Sequence, residues 1–132
     1  MLCAQFKTTT MQTFLPYSFT VSAAALDNKR LVKQVVEVKQ ILAACENPRA
    51  AWGNHPIVRM WRGYESNLAY YGFRMCAEYK TRFHKAHTLA MYFHEKIHEN
   101  VSSLLPPWYG VPQFHQSHRL ALYYKDPVFY GP

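Results

Sequence analysis

Leu26-Asp27-Asn28-Lys29-Arg30-Leu31-Val32-Lys33-Gln34-Val35-Val36-Glu37-Val38-Lys39-Gln40-Ile41-Leu42 is the stretch on which the reading of this chain turns. At about 100° per residue, a helix through it splits into two unlike faces. Leu31, Val35, Val38 and Leu42 fall in one narrow apolar arc, which is expected to pack on a core. Arg30, Lys33, Gln34, Glu37 and Gln40 gather on the other side, with Ile41 among them. One carboxylate thus sits within a ring of cations and amides, able to face a polyanion. That arrangement points to chemistry on a phosphate-bearing substrate, with Glu37 as the group that moves protons. The competing reading is a solvated surface of mixed charge with no chemical task. Lys33 and Glu37 stand four apart with the cation first, the poorer order for stabilising a helix, so the face is not optimised for ion pairing.

Working outward, the 132 residues fit one domain large enough for a real core, and 49% of them are hydrophobic, which argues against disorder over most of the length. Fifteen Lys and Arg against eight Asp and Glu give a formal charge of +7, before any contribution from seven His. Such an excess favours acidic partners, nucleic acid ahead of membrane or acidic protein. Eight Phe, ten Tyr and three Trp, interleaved with Arg and Lys, offer stacking platforms beside phosphate contacts, although most such rings belong in a core. Cys3, Cys45 and Cys76 show no paired spacing, so neither a disulfide framework nor a Cys-based zinc site is expected. The first residues lack a signal-peptide pattern and no run reaches membrane-spanning length. These features give a cytoplasmic, reducing setting (a host cell if the source is viral), no membrane, no cofactor and no metal.

Along the chain, residues 1–10 read as a short polar N-terminal extension open to disorder, and residues 11–132 as a single helical domain. Ser18 is placed to cap a short helical turn, and Asp27 to cap the main first helix, which fades near Cys45. A second helix starts at Asn54-His55-Pro56, with Ile57, Met60, Trp61, Tyr64 and Leu68 as its apolar stripe. Gly72 either ends it or is absorbed, and helical signal resumes from Phe73 to about Asn100. Met75, Tyr79, Phe83, Leu89, Phe93 and Ile97 are its candidate buried positions. After Leu105-Pro106-Pro107 comes a loop rich in Pro, His and aromatics, then a short helical piece over roughly Phe114 to Tyr124. The fold class is mainly α: a single compact domain of three longer helices with an irregular, aromatic-rich C-terminal segment.

His94-Glu95-Lys96-Ile97-His98 matches H-E-x-x-H, the zinc-peptidase spacing, with His87 one face-repeat earlier. The charged Lys96 between the imidazoles and Glu99 directly after them depart from the uncharged positions such helices keep, and a solvated helix face accounts for the match better. His115 and His118, three apart beside Arg119, suit donation to phosphate or base as well as they suit ordinary packing.

Several strings coincide with one family: Met11-Gln12-Thr13-Phe14-Leu15-Pro16-Tyr17, Leu26-Asp27 through Lys33-Gln34 and Glu37, Asn54-His55-Pro56 with Met60-Trp61-Arg62-Gly63-Tyr64-Glu65, Phe114-His115-Gln116-Ser117-His118-Arg119, and Lys125-Asp126-Pro127-Val128-Phe129-Tyr130-Gly131-Pro132. From Met11 to Pro132 the chain resembles the pyrimidine-dimer DNA glycosylase (endonuclease V-like) superfamily, especially its bacterial and phage branch. The resemblance implies a small, basic, mostly helical enzyme that excises damaged pyrimidines from double-stranded DNA and nicks the abasic site through a Schiff base. It implies a catalytic Glu on the first long helix, which falls on Glu37, and a His after the linker, which falls on His55. The family's nucleophile is the α-amine of a Thr exposed by loss of the initiator Met; here Gln12 stands between Met11 and Thr13. The amine is then Met11's own, if synthesis starts there, or that of Lys33, which is otherwise a phosphate contact. Arg30, Gln34, Asn54, His55, Arg59, Arg62, His115, His118, Arg119 and Lys125 make the DNA-binding set, with Trp61, Trp108 and Tyr109 as rings that fill the gap or hold an extruded base. The expected partner is damaged or modified duplex DNA, met by a monomer. The alternative is a non-catalytic nucleic-acid-binding protein that kept the surface and lost the nucleophile.

Overall fold

The computed structural model describes residues 12–47, 49, 53–99 and 104–131; Met11, Cys3 and the extension over residues 1–10 lie outside them. Among the described residues there are seven helices and no strand. They are α1 (Phe19–Ala25), α2 (Asn28–Glu46), α3 (Pro56–Trp61), α4 (Glu65–Phe83), α5 (Ala90–Glu99), α6 (Pro112–Lys125) and α7 (Pro127–Tyr130). The mainly α class read from the sequence is the one observed.

Helix starts follow the capping chemistry. Ser18 Oγ accepts from Val21 N–H ahead of α1, and Asp27 accepts from Arg30 N–H ahead of α2. His55 Nδ1 accepts from Ile57 N–H at 3.1 Å with Pro56 in the first turn of α3. Each cap gives a partner to an N–H that the helix itself leaves orphaned, worth about 1 kcal/mol.

Two expected helices are each interrupted. The stripe from Ile57 to Leu68 is not one helix, because Arg62–Tyr64 turns between α3 and α4 and Gly63 takes φ +96°, a conformation open to glycine. The chain then runs straight through Gly72, so α4 continues to Phe83. It stops at His84, whose left-handed φ of 60° and N–H bond to Lys80 C=O at 2.9 Å close the last turn. A histidine in that role carries no sequence signal of a stop, and the helical run expected from Phe73 to Asn100 is therefore α4 and α5 with a turn between. Phe83, beside that stop, is exposed rather than buried.

The core forms where α2 and α4 meet, with α1, α3 and α5 packed around them. Leu31, Val35, Val38 and Leu42 are all buried, as the narrow arc requires, together with Leu15, Leu26, Trp61, Leu68, Tyr71, Met75 and Phe93. Each such side chain contributes about 1.5–3 kcal/mol of transfer free energy. Gly72 lets α5 approach closely: a Cβ there meets the Phe93 ring at 2.6 Å. Cys45 and Cys76 are buried free thiols, both pushed up to about 12 by burial. Residues 104–111 are the irregular stretch of the C-terminal segment, after which α6 spans the helical piece expected there and α7 follows Asp126. No helix among the described residues is long and apolar enough to cross a membrane.

Candidate active site

Residues 12–15 belong to no helix or strand, and Pro16 begins the bend that leads into α1. A segment outside regular structure has to find partners for its N–H and C=O groups elsewhere. Side chains from α2, α4 and α6 supply them. The Gln34 amide takes the place of a neighbouring strand: its Oε1 accepts from Phe14 N–H at 2.6 Å and its Nε2 donates to Gln12 C=O at 2.7 Å. The Tyr71 hydroxyl donates to Phe14 C=O. Trp61 Nε1 donates to the buried Thr13 Oγ1 at 3.2 Å. Leu15 N–H donates to His118 Nδ1 at 2.7 Å, while Leu15 C=O accepts from His115 Nδ1, also at 2.7 Å. Arg119 Nη1 donates to Pro16 C=O at 2.6 Å, its guanidinium lying 5.2 Å from the centre of the Tyr17 ring.

The partners fix the histidine tautomers. A carbonyl only accepts, so His115 carries its proton on Nδ1; Gly110 N–H donates to Nε2 at 2.9 Å, so that nitrogen is bare. His118 receives the Leu15 N–H and is therefore bare at Nδ1. Burial, and then the neighbouring His115, push His118 down to about 4, which keeps it neutral near pH 7.

This segment delivers residue 12 to Glu37, which accepts a hydrogen bond from the Gln12 amide. Glu37 lies one turn beyond Gln34 and is 8% exposed. Burial raises its carboxyl above the ordinary range, while Lys33, the Gln12 bond and Lys125 pull the other way. Both lysines are exposed. The polar side of α2 is thus not the open face that its helical wheel suggests. Gln34 is 1% exposed and Ile41 fully covered, whereas Lys33 and Gln40 remain at the surface. A wheel drawn on α2 alone cannot show a covering segment twenty residues earlier in the chain.

The other residues singled out from the sequence divide into two groups. Gln34, His115, His118 and Arg119 spend their hydrogen bonds on residues 12–16, as above. Arg62 Nη2 donates to Gly53 C=O at 2.8 Å and Ala44 C=O at 3.4 Å, tying the turn before α3 to the end of α2. Arg30 pairs with Asp27 at 3.2 Å, approaches Asp126 at 3.9 Å and lies 5.9 Å from the Tyr130 ring centre. Asn54, Arg59 and Lys125 are exposed and His55 is partly so. Among the three candidate rings, Trp61 is fully buried, Trp108 packs edge-on against it at 4.7 Å, and Tyr109 stacks on Phe19 at 4.3 Å. These are core contacts.

The sequence reading missed Tyr71 and the pairing of Asp27 with Tyr130. The Tyr130 hydroxyl donates to Asp27 Oδ1 and accepts from Asp27 N–H at 2.9 Å, joining the C-terminus to the cap of α2. Burial alone would raise the Asp27 carboxyl, but the bonds from Tyr130 and Arg30 outweigh it and leave it lowered. Their only signal is a Tyr far from its partner in sequence. A cavity of about 300 Å³ opens beside Pro16, between Tyr17, Arg119, Phe129 and Tyr130, and Glu37 is not in its lining. His94 and His98 are exposed and pack edge to face, 4.7 Å between ring centres. Among the described residues no group of three His, Cys, Asp or Glu is arranged to hold a metal ion.

The pyrimidine dimer DNA glycosylase family model matches residues 11–92, more than half of the chain. No curated protein and no solved structure matches. The matched span holds residues 12–16, all of α2 and Glu37, and stops before α6. The chain belongs to the pyrimidine dimer DNA glycosylase family.

Proposed function

We propose that this family member is a DNA-repair enzyme, an N-glycosylase with abasic-site lyase activity on damaged or modified pyrimidines in duplex DNA. The observation that carries the reading is the placing of one nearly covered carboxylate, Glu37, against the backbone of residue 12, with Lys33 and Lys125 acting on it. Displacing a pyrimidine from deoxyribose calls for a nucleophile at C1′ and a group that exchanges protons with the sugar. A carboxyl with a raised pKa holds its proton at higher pH than a solvated one, so Glu37 suits delivery of a proton to the ring oxygen. As a carboxylate it then takes a C2′ proton from the imine, and the 3′ phosphate leaves by β-elimination.

The amine of this reading is the α-amine of Met11, in a chain whose synthesis starts there. It is one peptide unit from the Gln12 amide that Glu37 binds. An α-amine titrates near ~7.7–8.0, so much of it is an uncharged nucleophile at neutral pH, which a lysine at ~10.4 is not without help. Lys33 is the second choice of amine. Arg59, Asn54, His55 and Lys125, and the solvent side of Arg30, track phosphates in this reading, so affinity falls steeply as salt rises. Extruding a nucleotide costs a few kcal/mol, least at a distorted pair, and this favours damaged sites.

Borohydride trapping on abasic and ultraviolet-irradiated duplexes tests the reading. A covalent adduct is expected with the chain beginning at Met11, and Glu37→Gln abolishes it. Release of free base, followed in the same reactions, covers a glycosylase that does not form an imine. Equal affinity for damaged and intact duplex, with neither adduct nor base, leaves a nucleic-acid-binding protein without catalysis and overturns the proposal.

A further inference from the structure

The contacts around residues 12–16 raise a question that the chemistry of Glu37 does not answer: what sets the distance between that carboxylate and residue 12. Covalent geometry does not, because residue 12 and Glu37 are joined through a long stretch of chain that includes all of α1. Gln34 holds Gln12 and Phe14 from the helix that carries Glu37, and Tyr71 and Trp61 hold Phe14 and Thr13 from α4 and α3. Leu15, next along the segment, is held by α6, which grips it at both its N–H and its C=O.

The two grips differ in kind. His115 donates through Nδ1, and a second proton on its ring leaves that bond in place. His118 accepts through Nδ1, and a proton on that nitrogen turns an acceptor towards a donor, so the Leu15 N–H loses its partner and meets a positive charge. We infer that His118 is a positioning residue: its bare Nδ1 seats Leu15 and so holds residue 12 against Glu37, and the site loosens when that imidazole is protonated. This rests on the reading of Glu37 as the proton-moving group.

The charged and titratable groups in contact with the clamp and the residues beside it are His115 and Arg119 from α6, Tyr71 from α4 and Tyr109 from the turn before α6. Of these, His115 is the one whose charge acts on His118, and it opposes a second proton. Tyr71 and Tyr109 bind backbone groups of Phe14 and Phe19, and burial raises the Tyr71 hydroxyl further above its ordinary range. The folded imidazole lies below its usual 6.5, so between about 4 and 6.5 the unfolded chain binds more protons than the folded one. Seating is therefore complete above that window and is lost as pH falls through it.

The test follows amide exchange of Phe14 and Leu15 in the full chain, normalised for intrinsic rates, from pH 7 to below 4, in the wild type, His118→Ala and His118→Asn. The Asn Oδ1 stands close to where Nδ1 stands and takes no proton. In the wild type, Leu15 protection is expected to fall about tenfold across the acid window, as for a single lost buried bond, while Leu42 and Met75 keep theirs. His118→Ala lacks it at every pH, and His118→Asn keeps it into the acid range. Adduct yield on abasic duplex follows the same three patterns, with its acid limb moved down in His118→Asn.

Acid loss of protection that is identical in wild type and His118→Asn overturns the inference, and that comparison decides the matter even if His118→Ala does not fold. Protection that behaves as expected without any adduct in any form leaves the positioning role standing and removes the repair reading instead.

Discussion

Replacing Gln34 by Leu tests whether a side-chain amide does the work of a missing strand. The side chain is 1% exposed, and its two bonds, 2.6 Å to Phe14 N–H and 2.7 Å to Gln12 C=O, join residues that are twenty or more apart in sequence. Leu matches Gln in volume, so the cavity cost is small. What remains is the loss of partners. Phe14 is 8% exposed, and its orphaned N–H costs about 1–3 kcal/mol. Gln12 is only partly buried, so water relieves its carbonyl and the cost there lies near the lower end of the same range. Removing a polar amide from an apolar surrounding gives back about 1 kcal/mol. The expected net loss is about 1–3 kcal/mol. Urea unfolding measures it, and Phe14 amide exchange locates it. Gln34→Glu sharpens the test: it keeps an acceptor for Phe14 but sets a carboxylate against Gln12 C=O and one turn from Glu37, so its deficit is larger at pH 7 than at pH 5. A Gln34→Leu chain within about 0.5 kcal/mol of wild type, with Phe14 equally protected, refutes the reasoning.

Glu37→Gln is expected to unfold at the same or a higher temperature than wild type at pH 7. The raised carboxyl means that the folded chain binds more protons than the unfolded one just above pH 4.5, so the ionised group costs stability that grows as pH rises. Calorimetry at pH 7 and pH 4 checks the sign: the gain shrinks on acidification. Gly72→Ala sets a Cβ at 2.6 Å from the Phe93 ring, an overpacking cost of about 1–3 kcal/mol against about 1 kcal/mol of helix propensity, and net destabilisation in thermal melts is expected. Gly72→Ala with Phe93→Leu restores part of it. Asp27→Ala removes a helix cap and the acceptor of Tyr130, costing about 1–2 kcal/mol at pH 7. Because the Asp27 carboxyl is lowered, that contribution is present above pH 3.8 and is lost as pH falls further, so the wild-type and variant melting curves converge in strong acid.

The local rules of the sequence located most of the fold. Asp27, Ser18 and the His55–Pro56 pair mark helix starts because capping is a contact between near neighbours, and the arc of Leu31, Val35, Val38 and Leu42 is buried because a helix repeats on its own period. Where the reading failed, the deciding contact was distant or the residue was out of character. His84 ends α4 in a conformation usually left to glycine. Of the two outcomes left open at Gly72, the helix takes the second and absorbs it, with the Phe93 ring packed close against it. Glu37 was legible as a singular carboxylate. Its burial was not, since its backbone partner is Gln12, and the segment that carries Gln12 is held at Leu15 by α6, about a hundred positions later.

That separation bears on how charge should be counted in a small basic protein. A formal +7 suggests a broad cationic surface, yet Arg119, Arg62, Arg30 and Arg82 spend guanidinium donors on backbone carbonyls or carboxylates of their own chain. They bind the parts of the chain that lack regular partners: residues 12–16, the turn before α3, the cap of α2 and the end of α1. Arginine suits this work because its planar fork reaches several carbonyls and is not deprotonated. Two lysines differ. Lys33 and Lys125 are exposed and both act on Glu37, so each can turn its point charge to a phosphate, unlike Lys96, which pairs with Glu46 and Glu99. A Lys125→Ala chain should therefore lose salt-dependent DNA affinity with little change in unfolding midpoint, and Arg119→Ala should lose stability first. If the two substitutions exchange those effects, the division between cations that build the site and cations that use it is wrong.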